Sequence, residues 1–336
     1  MPFLPAIASP SLGHPSVHSI ERRLKEAAAQ GFRLIEVVED DLKGYAQGQD
    51  GGNPDTHMMQ AAGSIKSLCD NLGIKPFVLQ PFWQYEGLLD REEHKARIEK
   101  LRLWMKLVKI LDVQLIQIPT TWLTEGTTGD MDVIVQDFLE LAEIGLQQEP
   151  MVSFAYEGVA WGTYIDTWEG TWEVVKRVNK PNFGLCLDTY HIAARIWGDP
   201  TTSTCKRQDG DLQLQKSMEQ LIREVDVNKV FYVQAGDAEK LAEPLVAGHP
   251  FHSDAQLPRM SWSRNARLFA FEKEQDGCLP IEPILNAIVH GLNFRGYLSV
   301  ETFSRELFSK DDDLPARYAA RGMRSWDEIL KRLRIS

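Results

Sequence analysis

Four oxygen-bearing side chains close four successive apolar runs in the second half of the chain: Glu157 ends VSFAYE, Asp188 ends FGLCLD, Gln234 ends VFYVQ and Glu301 ends YLSVE. If each run is a strand and the strands lie side by side, three carboxylates and one amide converge on one mouth. Such a cluster repels itself at low effective dielectric, and a divalent cation resolves the repulsion. All four are oxygen donors with no cysteine among them, so one Mg²⁺, Mn²⁺ or Co²⁺ ion fits better than a structural zinc. Two alternatives stay open. Each residue could instead pair with loop amides, and the Gln234 carbonyl could orient a metal-bound water rather than bind the ion.

His191 follows Asp188 by three residues in LDTYH. That offset puts an imidazole on the loop or first helical turn after the sixth run, where a proton could be moved beside a carbonyl; a packing histidine is the competing reading. His14, His18, His249 and His252 also fall in loops, and the sequence does not rank them. His57, His94 and His290 fall in helices and are expected on solvated faces. Ser263, Arg264, Asn265, Ala266 and Arg267 bring two guanidinium groups into one long loop. One of them could bind a substrate carboxylate bidentately, while the other reads as solvated or internally paired. Trp161 follows the fifth run closely enough to wall a pocket; Trp168 and Trp172 have helical spacing and read as packing residues.

These side chains need a frame that repeats. Eight short apolar or β-branched runs are visible, at residues 5–9, 34–38, 76–80, 113–118, 152–157, 183–188, 230–234 and 297–301. Between them lie segments with apolar residues at three- and four-residue spacing. Residues 19–30 begin on a Ser N-cap and end before Gly31; residues 57–72 end before Gly73; residues 91–111 are long. Further helices are expected at 130–147, 167–178, 211–225, 281–291 and 324–333. Strand–helix alternation carried out eight times predicts a parallel sheet covered by helices. Eight units fit a closed (β/α)₈ TIM barrel, one domain over residues 1–336, better than an open doubly wound sheet. No glycine-rich phosphate fingerprint follows the first strand. In such barrels the chemistry sits at the C-terminal strand ends, where the four residues above are placed. Two segments interrupt the period: a polar insertion at 199–210, and a long loop insertion at 235–279 after strand seven. The second carries Arg259, Trp262, Arg264, Arg267, Phe269 and Phe271, too many anchoring side chains for a linker.

Bulk properties narrow the partners. The 336 residues are 43% hydrophobic and 25% charged, which is ordinary globular composition. A net charge of −11 argues against nucleic acid as a partner and leaves a small carboxylate substrate open, since a few local arginines suffice for that. The four cysteines have no C-x-x-C spacing, the N-terminus lacks a signal-peptide pattern, and no stretch approaches the ~20 apolar residues needed to span a bilayer. A soluble, cytoplasmic protein with no membrane partner is the expectation. Residues 91–111 offer a helix face through which copies of the chain could pair as a homo-oligomer.

PAIASPSLG, LQPFWQYEG, FAYEG, PNFGLCLDTYH, KVFYVQAGDAE, PRMSWSRNARLF and GYLSVETF, in this order, resemble the fungal 3-dehydroshikimate dehydratases of quinate and shikimate catabolism. That family lies within the sugar-phosphate isomerase/epimerase, or xylose isomerase-like, barrels. The resemblance runs over nearly the whole chain. It implies a metal held by Glu157, Asp188, Gln234 and Glu301, a catalytic His191, and substrate contacts from Ser263 and Arg267. It also implies a hydro-lyase reaction that converts 3-dehydroshikimate to protocatechuate, with the metal polarising the ketone and Arg267, or Arg264, fixing the carboxylate. The dioxygenase-like second domain of bacterial relatives is not expected here. One departure stands out. After LQPF the family places an Arg or His within two positions, and here Trp83 and Gln84 stand instead, so substrate contact from the third strand is altered. A metal-dependent isomerase or epimerase of a sugar or secondary metabolite is the main alternative. An abasic-site endonuclease would need more histidines and a basic face, and a non-catalytic sensor would not need intact ligands.

Overall fold

The computed structural model describes residues 3–46 and 53–335. Eight parallel strands close on themselves in it: β1 (Ala6–Ala8), β2 (Leu34–Val38), β3 (Lys75–Gln80), β4 (Leu115–Pro119), β5 (Ser153–Glu157), β6 (Phe183–Asp188), β7 (Val230–Ala238) and β9 (Tyr297–Val300). The closing pairs are β6 with β7, β7 with β9 and β9 with β1, each parallel. The ninth strand, β8 (Arg267–Phe269), runs antiparallel on the extension of β7 and lies outside the barrel ring. The expected (β/α)₈ barrel is therefore the observed one.

Strand alternation sorts side chains between two cores. On β2, Ile35 and Val37 join the large core under the helices, whereas Leu34 joins a second cluster inside the barrel with Ala6, Val78, Leu115, Ala155, Cys186 and Tyr232. Above that inner cluster the barrel interior turns polar, with Glu36, Gln80, Gln117, Glu157, Asp188, Gln234 and Glu301 all buried. The helices are α1 (Ile20–Gln30), α2 (Glu39–Ala46), α3 (Pro54–Leu72), α4 (Arg91–Leu111), α5 (Met131–Leu146), α6 (Trp168–Val178), α7 (Thr189–Ile196), α8 (Gly210–Glu224), α9 (Pro258–Ala266), α10 (Ile281–Asn286) and α11 (Leu314–Leu333). The cap reading of α1 holds: Ser19 accepts from the Arg22 amide and Gly31 adopts φ 98°.

The start of α11 and the burial of His94 depart from the sequence reading for local reasons, whereas the segment after β7 is anchored, as its side chains led one to expect. α11 starts ten residues before the expected 324, its first turn opened by Pro315. The segment after β7 is ordered: β7 runs on to Ala238, β8 pairs with that extension, and α9 is pinned between them. Trp262 of α9 is fully buried with its Nε1 donating to the Glu239 carbonyl at 2.8 Å, an anchor worth ~3–5 kcal/mol on truncation. Arg259 donates to the carbonyls of Ala194 and Gly198 at 2.6 and 2.8 Å, tying α9 to the end of α7. His94, by contrast, is not solvated. It is 3% exposed, with Nε2 2.9 Å from Glu140 and Nδ1 3.5 Å from Asp137, both on α5. Helix α4 buries that face because α5 packs carboxylates against it.

Candidate metal-binding active site

The barrel mouth brings together Glu157, Asp188, Gln234 and Glu301 from β5, β6, β7 and the end of β9, His191 from α7 and Arg267 from β8. Asp188, the last residue of β6, accepts the Tyr190 amide at 2.7 Å through Oδ1 and so caps α7. That cap sets the direction of the helix and puts His191 in its first turn, with Nε2 3.8 Å from Asp188 Oδ2 and 3.9 Å from Glu157 Oε1. One ligand atom each from Glu157, Asp188 and His191 lie within 4.8 Å of one another, all buried. Glu157 takes a hydrogen bond from the Gln117 amide, and Glu301 one from Gln234 Nε2 at 2.9 Å.

Arg267 enters this cluster rather than the open cleft. It is 1% exposed, and its Nη2 pairs with Asp188 and, at 2.9 Å, with Glu301; its Cζ lies 4.9 Å from the Tyr190 ring centroid and 5.4 Å from that of Phe303. Gly236 permits the approach, since a Cβ there would stand 2.8 Å from Arg267 Nε. Arg264 lies elsewhere. Its residue is exposed on the rim of the cleft, and among the described residues it makes no side-chain hydrogen bond or ion pair.

Three carboxylates (Glu157, Asp188 and Glu301) share this one guanidinium, and a fourth, Glu36, adjoins Glu301. Burial, and then the neighbouring carboxylates Asp188 and Glu301, hold Glu157 well above the usual carboxylate range. Burial raises Glu36 likewise, followed by Glu301. Burial also pushes Glu301 up to about 7, against the opposing pull of Arg267. His191 is pushed down to about 4, chiefly by burial and with Arg267 adding to the fall, while Asp188 opposes it. The His191 ring is therefore neutral, and its Nδ1 accepts the Ala160 amide at 3.1 Å. The proton then sits on Nε2, facing the carboxylates. A neutral ring in that tautomer donates toward the centre, and it could ligate a cation through Nε2 only after giving up that proton.

The donor set fits a divalent cation. Carboxylate oxygens outnumber the local positive charge, and among the described residues Gln117 Oε1 is buried without a hydrogen-bond partner. Gln234 presents Nε2 to Glu36 and Glu301, both at 2.9 Å, and turns Oε1 toward the Cys186 thiol at 3.4 Å on the β6 side.

Above the cluster opens a cleft of about 380 Å³. Trp83, Trp122, Trp161, Phe303 and Phe308 line it, and Ser263 and Arg264 supply polar groups. Trp83 meets Trp122 edge-on at 4.9 Å, and Trp161 meets the His191 ring at 4.8 Å. Gln84 turns away, with its Oε1 accepting the Thr121 hydroxyl at 2.5 Å, and does not line the cleft. His14 does line it, stacked on Phe308 at 4.1 Å, and is the loop histidine that the sequence did not rank. A larger hollow of about 520 Å³ lies on the outer surface between α8 and α10, away from every strand end.

Sequence reading missed Glu36, Gln80 and Gln117. Gln80 and Gln117 were open to the test that found Glu157, because each stands at or beside the end of its run. Glu36 had a different signal, a lone charge inside LIEVV.

A model of the xylose isomerase-like TIM barrel family matches residues 24–329. The chain is 40% identical, over its full length, to the 3-dehydroshikimate dehydratase of Neurospora crassa, of which it covers 96%. Among solved structures, a xylose isomerase-like TIM barrel/4-hydroxyphenylpyruvate dioxygenase fusion protein superposes with a TM-score of 0.75 at 24% identity over 99% of this chain; the chain spans 44% of that protein. The IolI protein with a bound zinc atom gives 0.67 at 18% identity over 99% of this chain and 98% of that one. At these identities the two structures speak for the fold alone.

Proposed function

We propose that this chain, which belongs to the xylose isomerase-like TIM barrel family, is a divalent-metal-dependent 3-dehydroshikimate dehydratase that releases protocatechuate and water. The observation that carries the reading is the buried carboxylate cluster of Glu157, Asp188 and Glu301 with His191 at its edge, in a chain 40% identical over its whole length to a dehydratase of that name.

Glu157, Asp188, Gln234 and Glu301 would hold the ion, with Mg²⁺, Mn²⁺ or Co²⁺ suited to their oxygens. When bound, the ion supplies Lewis-acid polarisation of the substrate ketone. The remaining work falls to the chain. A proton must leave the ring carbon beside the ketone, and a hydroxyl must leave the next carbon, so that one water is lost and the ring can aromatise. His191 is the residue placed to handle that proton. With Nδ1 accepting the Ala160 amide, the neutral ring carries its proton on Nε2 and can donate it toward the departing hydroxyl. To take the substrate's ring proton at Nε2, it must first move its own proton to Nδ1 and release that amide.

Arg267 is already bound to Asp188 and Glu301, so its charge serves the cluster first. Arg264, unpaired on the cleft wall beside Ser263, is the group free to take the substrate carboxylate. Trp83 replaces the basic side chain expected after strand three with an aromatic wall against which a flat six-membered ring can pack. The test is direct. Incubation with 3-dehydroshikimate and a divalent ion should yield protocatechuate, identified by its ultraviolet spectrum; an epimerised sugar product, or none, would refute the assignment.

A further inference from the structure

The three tryptophans that line the cleft come from three consecutive strand-to-helix loops: Trp83 follows β3, Trp122 follows β4 and Trp161 follows β5. All three loops meet at one buried residue outside the carboxylate cluster, Thr121, two positions past the end of β4. Every polar group of Thr121 is engaged. Its amide donates to Glu86 Oε1 at 2.6 Å, and its hydroxyl donates to Gln84 Oε1 at 2.5 Å. The same hydroxyl accepts the Leu123 amide at 3.3 Å, and the Thr121 carbonyl accepts the Thr163 amide at 2.9 Å. These partners stand beside the indoles: Gln84 adjoins Trp83, Leu123 adjoins Trp122, and Thr163 lies two positions after Trp161. Glu86 is buried as well, and the Tyr156 hydroxyl of β5 donates to its Oε1 at 3.1 Å, so the acceptor of the Thr121 amide is itself held.

We propose that Thr121 is a positioning residue that sets the spacing of Trp83, Trp122 and Trp161, and through it the grip of the cleft on the substrate ring. Other contacts hold the loops individually or farther away. Tyr85 anchors the first loop to α5 through the Asp137 carbonyl at 2.6 Å. Backbone bonds join Gly87 to Thr128 and Leu89 to Gly126, all four or more positions beyond Trp83 or Trp122. Thr121 adds the registration of the first and third loops against the second, next to the indoles themselves. That registration matters because a gap of ~0.5–1 Å forfeits about a quarter to a half of a dispersion contact. Loops that drift apart would therefore loosen the ring while His191, in the first turn of α7, keeps its place.

The effect on turnover rests on the reading of the cleft as the 3-dehydroshikimate site, whereas the spacing is measured without substrate. Trp83 and Trp122 are the one tryptophan pair in ring contact among the described residues, edge-on at 82° with centroids 4.9 Å apart. They should give an excitonic couplet in circular dichroism that Trp83→Phe abolishes. Thr121→Val keeps the branched shape and removes the hydroxyl; Glu86→Met keeps the length and removes the acceptor of the amide. Both are expected to shrink the couplet and to raise KM for 3-dehydroshikimate ~2–10-fold, the scale of one aromatic contact, with kcat within about twofold of wild type. Thr121→Ser and Glu86→Gln keep the bonding atoms and should keep both the couplet and KM. Should Glu86→Met fail to fold, Thr121→Val decides. An intact couplet in Thr121→Val overturns the proposal, and so does an unchanged KM once the couplet is lost. A fall in kcat at constant KM, or equal losses in Thr121→Ser, overturns it in favour of a purely structural role. Wild type that shows the couplet but forms no protocatechuate overturns the dehydratase reading; a couplet then lost in Thr121→Val and kept in Thr121→Ser still supports the spacing role.

Discussion

Replacing Arg267 with Met tests whether one guanidinium neutralises the carboxylate cluster. Arg267→Met roughly keeps the volume between Tyr190 and Phe303 but removes the charge that pairs with Asp188 and Glu301. Breaking one partner of a buried pair costs ~3–5 kcal/mol, because the partner charge stays buried. Here two partners are abandoned, while Glu36 and Glu157 add to the repulsion. Glu157 and Glu301 recover part of the cost by taking up protons, which their raised pKa values favour, so the net cost stays at ~3–5 kcal/mol. An unfolding entropy of ~2.1 cal/mol/K per residue gives about 0.7 kcal/mol per kelvin for 336 residues. The melting temperature in chelator should therefore fall by ~4–7 °C. A divalent ion then supplies the missing charge, so adding Mn²⁺ should raise the melting temperature of the variant by more than that of wild type. Scanning calorimetry with chelator and with Mn²⁺ reads both effects. An unchanged chelated melting temperature, or a metal-induced rise no larger than in wild type, would refute the reasoning.

Three further outcomes follow from the same geometry. Glu301 and Glu86 are raised to about 7 and Asp237 to about 6, each chiefly by burial, so their contribution to stability is complete in acid and lost as pH rises through those values. His191, lowered to about 4, works the other way and loses its contribution as pH falls from the ordinary histidine range through 4. Chelated protein should accordingly melt higher at pH 5.5 than at pH 8, and saturating Mn²⁺ should reverse that order; the same order in both states would contradict the cluster. Arg264→Ala should raise KM for 3-dehydroshikimate ~10–100-fold and leave kcat nearly unchanged, as loss of a charged contact made equally in ground and transition states does; steady-state kinetics showing the loss in kcat instead would remove Arg264 from carboxylate binding. His191→Asn should lower kcat ~10²–10⁴-fold while calorimetry shows Mn²⁺ affinity retained; affinity lost as fully as in Asp188→Asn would make His191 a ligand.

The barrel was legible because its signal is local and repeated. Runs at 34–38 and 183–188 coincide with β2 and β6 to the residue, and caps such as Ser19 and Gly31 mark α1. The residues at the mouth were legible for the same reason: Glu157, Asp188 and Gln234 each lie two residues beyond Ala155, Cys186 and Tyr232, which face the barrel interior, and alternation turns them inward as well. What escaped depends on contacts far apart in sequence. Arg267 reads as part of a basic stretch, yet its charge is spent on Asp188, 79 positions away, through a three-residue strand too short to show a pattern. Helix α9 has the unpromising sequence PRMSWSRNA and is held by Trp262 and Arg259 rather than by propensity. His94 looks like a surface histidine until α5 is laid against α4 with Asp137 and Glu140 facing it. The absence of a basic residue after LQPF was visible; that Trp83 faces the cleft while Gln84 turns to Thr121 was not, because the two differ only in which way a turn at Gln84, with φ of 53°, directs them.

Turnover of 3-dehydroshikimate by metal-stripped protein, followed in the ultraviolet while a divalent ion is added back, tests the central claim most directly. Protocatechuate should form in proportion to bound metal, stop on addition of excess chelator, and fail to form with Asp188→Asn. Full turnover in chelator, or none with Mg²⁺, Mn²⁺ or Co²⁺, would contradict the account.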